Sequence, residues 1–160
     1  MQYFIRDLRK EEYPLLEIFL YNAIYIPQGT ITPSRDIIYK PELKIYFENF
    51  GKYQDDIALV YEADKKIVAA IWVRIMNDYG HIDDETPSLS ISVLEEYRGH
   101  GIGTKLLYEM LKRLKNDGYK RVSLSVQKEN YASKMYRKAG FEVFRENNEE
   151  YIMVCHLNNY

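Results

Sequence analysis

The segment SLSISVLEEYRGHGIGTKLL, residues 88–107, joins two patterns that are typical of different elements. Residues 88–94 alternate apolar and polar side chains, which predicts a β-strand. Residues 103–116 place leucine and methionine side chains on one face, which predicts an amphipathic helix. Three glycines lie between the two patterns: Gly99, Gly101 and Gly103. Glycines let the backbone approach a ligand closely, and the free N–H groups at a helix start favour an anion.

The spacing of these glycines excludes two nucleotide-binding motifs. The dinucleotide fingerprint requires a glycine where Thr104 stands, and it opens a parallel sheet rather than following an antiparallel meander. The phosphate-binding P-loop needs four residues between its glycines, followed by Lys and then Ser or Thr, and Thr104–Lys105 has the reverse order. The loop therefore predicts either a pyrophosphate site, with Arg98 as a phosphate partner, or a glycine-rich turn with nothing bound.

The rest of the chain predicts a mixed α/β domain with the element order β-α-α-β-β-β-α-β-α-β-β. The further predicted strands are residues 3–8, a hairpin over 56–77 that turns at Asp64 and Lys65, residues 119–127 and a last hairpin across Asn147 and Asn148. The further predicted helices are residues 11–27, 42–50 and 130–140, the last with Asn130 as N-cap. With 160 residues and no linker, one domain over 1–160 is expected.

Composition limits the function classes. The chain has 22 Lys and Arg against 24 Asp and Glu, a net charge of -2 that argues against a general nucleic-acid binder. No apolar run approaches the roughly 18 residues that span a bilayer, and the first residues do not resemble a signal peptide. We therefore expect a soluble, cytoplasmic protein without nucleic-acid or membrane partners. Cys155 and His156 have no ligand partners nearby, so no metal site is expected.

Two motifs together resemble the signature of the Gcn5-related N-acetyltransferase (GNAT) superfamily. The first is the run from Arg98 to Gly103, and the second lies about thirty residues later. The second comprises Asn130, Ser133, Tyr136, Gly140 and Phe141. The element order fits from Tyr3 to His156, in outline only for the first half. The resemblance implies a mostly antiparallel central sheet with helices on both faces, and direct transfer of an acetyl group from acetyl-CoA to an amine.

The resemblance also implies roles for individual residues. The backbone of Val93, Leu94 and Glu95 would hold the pantetheine arm, and an N–H of Val93 or Leu94 would stabilise the carbonyl oxygen. The pyrophosphate would be bound by Arg98, Gly99, His100, Gly101, Ile102, Gly103 and Thr104, although His100 also fits an outward-facing loop residue. Asn130 and Ser133 would touch the lower arm. Tyr136 would contact the cofactor and protonate the departing sulfur as general acid, or else pack with its hydroxyl satisfied elsewhere.

The proton-accepting base is not evident from the resemblance. Many relatives carry a glutamate about ten residues ahead of the arginine, and Ser88 stands there in this chain. The nearest acids are Asp83, Asp84 and Glu85, and we expect Glu85 to act as the base through water, unless the three form only a solvated loop. The missing glutamate keeps open a second function, a CoA-binding regulatory module with little or no catalysis.

The predicted acceptor is a primary amine of a small molecule or peptide. Aromatic residues of the first helices and the last hairpin, with the acidic loop, would suit a cationic amine. They are Tyr21, Tyr25, Tyr39, Tyr46, Phe47 and Tyr151. The same residues fit a core or a homodimer face, and their spacing does not separate these possibilities.

Overall fold

The computed structural model describes residues 2–160, so only Met1 lies outside the description. Seven strands form one sheet in the order β1-β2-β3-β4-β5-β7-β6. The strands are β1 Tyr3–Asp7, β2 Ile57–Ala63, β3 Lys66–Arg74, β4 Ser88–Val93, β5 Arg121–Gln127, β6 Phe141–Glu146 and β7 Glu150–His156. The α-helices are α1 Leu15–Ala23, α2 Pro41–Lys44, α3 Ile102–Asn116 and α4 Ser133–Lys138. The predicted element order is confirmed.

Strands β1 to β4 form an antiparallel meander. The predicted turn between β2 and β3 is confirmed, since Asp64 and Lys65 have φ values of 48° and 71°. Both values lie in the left-handed region, which a tight hairpin turn requires. The β4–β5 pair is the one parallel pair of the sheet in residues 2–160, because α3 carries the chain from β4 to β5 as a crossover.

The sheet buries both of its faces, as predicted. Helix α3 covers one face with five fully buried side chains: Leu106, Leu107, Met110, Leu111 and Leu114. Burying each such side chain stabilises the fold by roughly 1.5–3 kcal/mol. On the other face, Leu16, Phe19 and Leu20 of α1 pack against Trp72 of β3. Helices α3 and α4 therefore cover one face of the sheet, and helices α1 and α2 cover the other.

Three predicted helices are shorter than expected. Helix α1 begins after Pro14 and ends at Ala23, because Ile24 is extended ahead of Pro27. Helix α2 ends at Lys44 rather than residue 50, and a series of turns replaces its second half. Helix α4 begins at Ser133, and Asn130 is not its N-cap: the Asn130 side chain accepts the N–H of Ala132 at 2.9 Å in a preceding turn. None of the helices in residues 2–160 is long and apolar enough to cross a membrane.

Candidate functional site

The sheet opens between its two central strands. Strands β4 and β5 are paired only at Ser88 and Ser123, where the N–H of Ser123 donates to the carbonyl of Pro87 at 3.0 Å. Beyond this point, residues 90–93 of β4 and 125–127 of β5 are not paired with each other. We call this opening the β4–β5 gap. Ser88 marks its closed end and Val93 marks its open end.

The backbone of β4 turns polar groups of Val93 towards this gap. The N–H of Leu94 donates to Val68 of β3 at 2.9 Å, and alternation along the strand turns the N–H and C=O of Val93 the opposite way, into the gap. The carbonyl of Val93 already accepts from Asn22 Nδ2 and Arg98 Nε, each at 2.9 Å. The N–H of Val93 is thus the group at this end of β4 that faces the gap with no acceptor among residues 2–160.

The prediction for Leu94 needs correction. Its N–H donates to Val68, and its carbonyl accepts from Tyr97 at 2.9 Å. The N–H of Leu94 is therefore not available to the pantetheine arm or to a carbonyl oxygen, whereas its carbonyl has one lone pair left to accept a second hydrogen bond. Glu95 begins the short 3₁₀ helix that follows β4, Glu95–Tyr97, and is exposed.

The glycine loop follows at the open end of the gap. Gly99 and Gly101 have φ values of 81° and 79°. This left-handed backbone favours glycine at both positions, because a side chain would strain it. No heavy atom lies within 4 Å of a Cβ built on either residue, which leaves open space above the loop. The first bond of α3 runs from Lys105 N–H to Gly101 carbonyl at 3.1 Å. The N–H groups from Gly99 to Thr104 thus lack acceptors within the described chain and form an anion-binding concavity.

Arg98 does not extend over this concavity. Its Nε donates to the carbonyl of Val93, and its Nη2 donates to the carbonyl of Asn22 at 3.3 Å. Asn22 in turn donates to Ser92 Oγ at 2.7 Å. Arg98 and Asn22 together therefore fasten the end of α1 to the end of β4. The predicted contact of the guanidinium with phosphate oxygens is not the arrangement observed, although the backbone around Arg98 remains at the site.

Tyr136 lies in α4, directly after Met135. Its ring is buried, 7% exposed, and meets the ring of Phe141 edge-on at 5.8 Å. Its hydroxyl has no hydrogen-bond partner in the part of the chain that the structure describes. Burial raises the pKa of Tyr136 above its ordinary value, so the phenol keeps its proton at neutral pH. The interpretation in which the Tyr136 hydroxyl is hydrogen-bonded elsewhere in the protein therefore does not agree with the structure.

The segment before α4 borders the gap from the β5 side. Asn130 in this segment and Ser133, the first residue of α4, are half-buried. Met135 lies close to the loop, since its Sδ is 3.6 Å from a Cβ built on Gly103. The hydroxyl of Tyr25, beyond α1, donates to the carbonyl of Glu129 at 3.3 Å. The chain after α1 therefore reaches across to the loop between β5 and α4.

The three predicted acids lie at the opposite end of β4. Glu85 is exposed, and its N–H donates to Asp83 Oδ1 at 2.9 Å. Asp83 pairs with Arg121 at 2.7 Å, and this hydrogen bond lowers the pKa of Asp83 to about 2. At about 3.3 Å per residue, β4 itself separates this end from Val93 by roughly 16 Å. The structure does not bring Glu85 to the glycine loop, and its role as base stays a prediction.

Another carboxyl group, Asp78, lies at the closed end of the gap. Ser88 Oγ donates to Asp78 Oδ2 at 2.6 Å. Burial raises the pKa of Asp78 above its ordinary value. Asp78 sits in a polar loop ten residues before Ser88 and belongs to no motif. Only the folded structure places this carboxyl beside the serine that replaces the expected glutamate.

The predicted aromatic wall is divided between several environments. Tyr46 is buried in the core against α1, and its neighbour Phe47 packs edge-on against the exposed ring of Tyr39. Tyr21 donates to the carbonyl of Pro33 at 2.6 Å. Tyr151 packs with the core of the α3 face, between Lys128 and Arg137. Tyr25 and Tyr151 both lie on the β5 side of the gap, since Tyr151 is paired with Val126 of β5, and the other four lie elsewhere, so the six residues do not form one continuous wall.

Comparison with known proteins identifies the family. The model of the Acetyltransferase (GNAT) family matches residues 5–141, and the chain belongs to this family. It is 30% identical over 121 residues to an S-alkylcysteine N-acetyltransferase of Bacillus subtilis, covering 69% of this chain and 64% of that protein. It is 35% identical over 85 residues to the uncharacterized N-acetyltransferase YobR of the same organism, covering 52% of this chain and 32% of that protein. The chain thus spans less than two thirds of the length of either relative.

A solved structure shows the same fold over the whole chain. It is the PaiA N-acetyltransferase of Thermoplasma acidophilum in complex with coenzyme A. The TM-score is 0.72 at 23% identity, with 98% of this chain and 99% of that chain covered. This likeness shows the fold.

Proposed function

We propose that the protein transfers an acetyl group from acetyl-CoA to a primary amine of a small molecule or peptide by direct attack of the amine. The observation that carries this proposal is the combination at the open end of the β4–β5 gap. Six consecutive N–H groups without acceptors lie beside a strand edge that is free on its gap side. Tyr136, a buried tyrosine with a free hydroxyl, belongs to the helix α4, whose Met135 reaches the loop.

The pyrophosphate of CoA would bind the N–H groups from Gly99 to Thr104. An anion with several acceptor oxygens suits this concavity, because the start of α3 adds the positive end of its helix dipole. His100 and Ile102 contribute through their backbone, and Ile102 itself is buried. Asn130 and Ser133 border the path that leads from the loop into the gap.

The pantetheine arm would lie along the free edge of β4 in the manner of an added strand. The N–H of Val93 would donate either to this arm or to the thioester oxygen, which gains negative charge as the amine attacks. Tyr136 would give its proton to the departing sulfur, and a phenol held neutral by burial is suited to that task.

The amine would enter from the face covered by α1 and α2. The loop and α3 occupy the opposite face, so the gap is where the two reactants meet. The S-alkylcysteine N-acetyltransferase of Bacillus subtilis is named for a small amino-acid acceptor. From this relative we carry over to our chain only the chemical class of the acceptor, an amine.

A second candidate function is a CoA-binding regulatory module with little or no catalysis. One observation favours it: Ser88 stands where many relatives carry a glutamate. Binding by such a module would use the same loop and gap. The free hydroxyl of Tyr136 favours the enzyme, because binding alone does not require a buried proton donor.

One assay separates the two functions. Release of free CoA thiol from acetyl-CoA is measured over a panel of amines, amino acids, polyamines and peptides, while CoA binding is measured by calorimetry. The enzyme predicts amine-dependent thiol release together with an acetylated product of the expected mass. Tight CoA binding without turnover on any acceptor class would favour the regulatory module.

A further inference from the structure

The loop between β3 and β4 closes the gap at its paired end. A Cβ built on Gly80 would come within 3.0 Å of Ser88 Oγ and 3.1 Å of Ser125 N, so this loop lies directly against both strands. Ser123 Oγ donates to the carbonyl of Gly80 at 2.7 Å. Asp78 precedes Gly80 by two residues, and its carboxyl is therefore fixed at the closed end of the gap by Ser88 and by the loop itself.

The surroundings of Asp78 are polar but provide no compensating cation. Its Oδ1 is buried without a hydrogen-bond partner among residues 2–160. The hydroxyl of Tyr46 lies near enough for burial and the charge of Asp78 together to raise the pKa of Tyr46. Arg74 of β3 is paired with Ser88 in the sheet, but its guanidinium is held by Asp56 at 3.0 Å. The other titratable groups of this loop are Tyr79, His81, Asp83, Asp84 and Glu85. Those at its rim are Glu42, Glu150, Arg121, which binds Asp83, and Arg145, which donates to the carbonyl of His81.

A row of hydroxyl groups leads from Asp78 towards the reaction centre. Ser88, Ser90 and Ser92 alternate with apolar residues, so their side chains lie on the face of β4 that packs towards α1. Neighbouring members are about 6.6 Å apart along the strand, a distance that two bridging waters in series span, because two hydrogen bonds of about 2.8 Å through one water fall short of it. Ser90 is half-buried and stands between the two ends of the row.

We propose that Asp78 is the positioning residue that takes up the ammonium proton of the acceptor, through the hydroxyl of Ser88 and water beside Ser90. The carboxylate that the family sequence pattern places on β4 is supplied in this chain by the loop before it. Ser88 stands at the position of the family glutamate and passes the proton on to Asp78. Burial favours the protonated carboxyl, which makes Asp78 a stronger base than an exposed aspartate.

The proposed reaction moves protons at three groups: the acceptor amine, Asp78 and Tyr136. The ammonium gives one proton to the row, Ser88 passes one to Asp78, and the neutral amine then attacks the thioester carbon. The carbon–nitrogen bond forms and the carbon–sulfur bond breaks. The sulfur takes a proton from Tyr136, and the proton still in excess on the nitrogen returns through solvent to the phenolate. Asp78 releases its proton to solvent, so the net products are the amide, CoA thiol and one proton.

This inference rests on the proposed function and is tested with an amine that the wild-type chain acetylates. The variant Asp78→Asn keeps the size of the side chain and removes the base. We expect kcat/KM to fall about a hundredfold, with its rising pH limb shifted to higher pH by at least one pH unit. CoA affinity should stay within twofold of wild type. The matched control is Asp55→Asn, which also removes a half-buried carboxylate bound by a hydroxyl, that of Tyr119, outside the gap.

Two further variants keep the inference falsifiable if Asp78→Asn unfolds. Ser88→Ala leaves Asp78 in place but removes the hydroxyl, and it should lower kcat with little change in KM. The double variant with Asp78→Ser and Ser88→Asp keeps one carboxyl and one hydroxyl at the closed end. Its kcat/KM should be at least tenfold higher than that of Asp78→Asn. A wild-type pH profile in Asp78→Asn, or loss of the pH limb in Glu85→Gln instead, would overturn the inference. A wild-type chain that acetylates no amine would overturn the proposed function first.

Discussion

Arg98 and Tyr136 belong to two motifs of one signature, but their side chains do different work. The guanidinium of Arg98 binds carbonyls of Val93 and Asn22, so it holds α1 against β4. The ring of Tyr136 is buried while its hydroxyl is left without a partner in the described structure. A motif position thus predicts where a residue lies better than it predicts which group its side chain contacts.

The variant Tyr136→Phe tests the proton-donor role. Removing one hydroxyl from a buried ring leaves the packing on Phe141 intact, so the fold and the CoA affinity should be preserved. The departing sulfur loses its donor, and we expect kcat to fall about a hundredfold. Steady-state thiol release and calorimetric CoA titration measure the two quantities. Turnover equal to that of wild type would refute the role.

Individual contacts that define the site were not predictable from the sequence. Asn22 reaches Ser92 across 70 positions, and Asp78 reaches Ser88 across a loop, and neither residue lies in a recognisable motif. Gly99 and Gly101 were predictable, because their left-handed backbone is a local property of the turn. Local requirements leave a pattern in the sequence, whereas contacts between distant segments do not.

The local sequence pattern predicted the ends of some helices better than those of others. Helix α3 agrees with its prediction within one residue, because five buried side chains and the exit at Gly118 define it. Helix α1 lies between Pro14 and Pro27, and α2 begins at Pro41. The apolar residues of both helices continue into turns that still pack on the sheet. Apolar spacing alone predicted helices that were too long, since turns also bury side chains.

Strand β1 is held to the segment before α1 by a carboxylate network. Glu12 receives two hydrogen bonds at 2.9 Å from Arg6, which also binds Glu62 of β2. The bond from Arg6 is the main cause that lowers the pKa of Glu12 to about 2. Since the folded pKa lies below the ordinary value of 4.5, this carboxylate stabilises the fold above that value. The stabilisation is lost as pH falls from about 4.5 to about 2.

The variant Glu12→Gln should therefore lower the free energy of unfolding by about 1–2 kcal/mol at neutral pH. The difference from wild type should shrink below the ordinary carboxyl pKa and vanish near pH 2. Urea unfolding at a series of pH values measures it, with Glu11→Gln, an exposed neighbour, as the control. A difference that is as large at pH 2.5 as at pH 7 would contradict the assignment.

In the whole molecule, the two faces of the sheet carry different parts of the candidate site, and we propose that each face receives one of the two reactants. Helices α3 and α4 put the anion-binding loop and Tyr136 on one face, and α1 with its extension covers the other. The gap between β4 and β5 connects the faces because these parallel strands pair only at Ser88 and Ser123. The element order predicted this topology, but the position of the opening depends on pairing between strands that the order does not specify.

The central claim is that the concavity from Gly99 to Thr104 binds the pyrophosphate of CoA. Gly101→Ala and Gly118→Ala form a matched pair, since both glycines have left-handed φ values, 79° and 93°, with no atom near the added Cβ. Each substitution should cost about 1–2 kcal/mol of stability for the same backbone reason. Only Gly101 lies in the loop.

Calorimetric titration of CoA into wild type and both variants tests this claim most directly. We predict that Gly101→Ala weakens CoA binding at least tenfold, while Gly118→Ala binds CoA as wild type does. Equal CoA affinity in all three proteins would contradict the assignment of the loop.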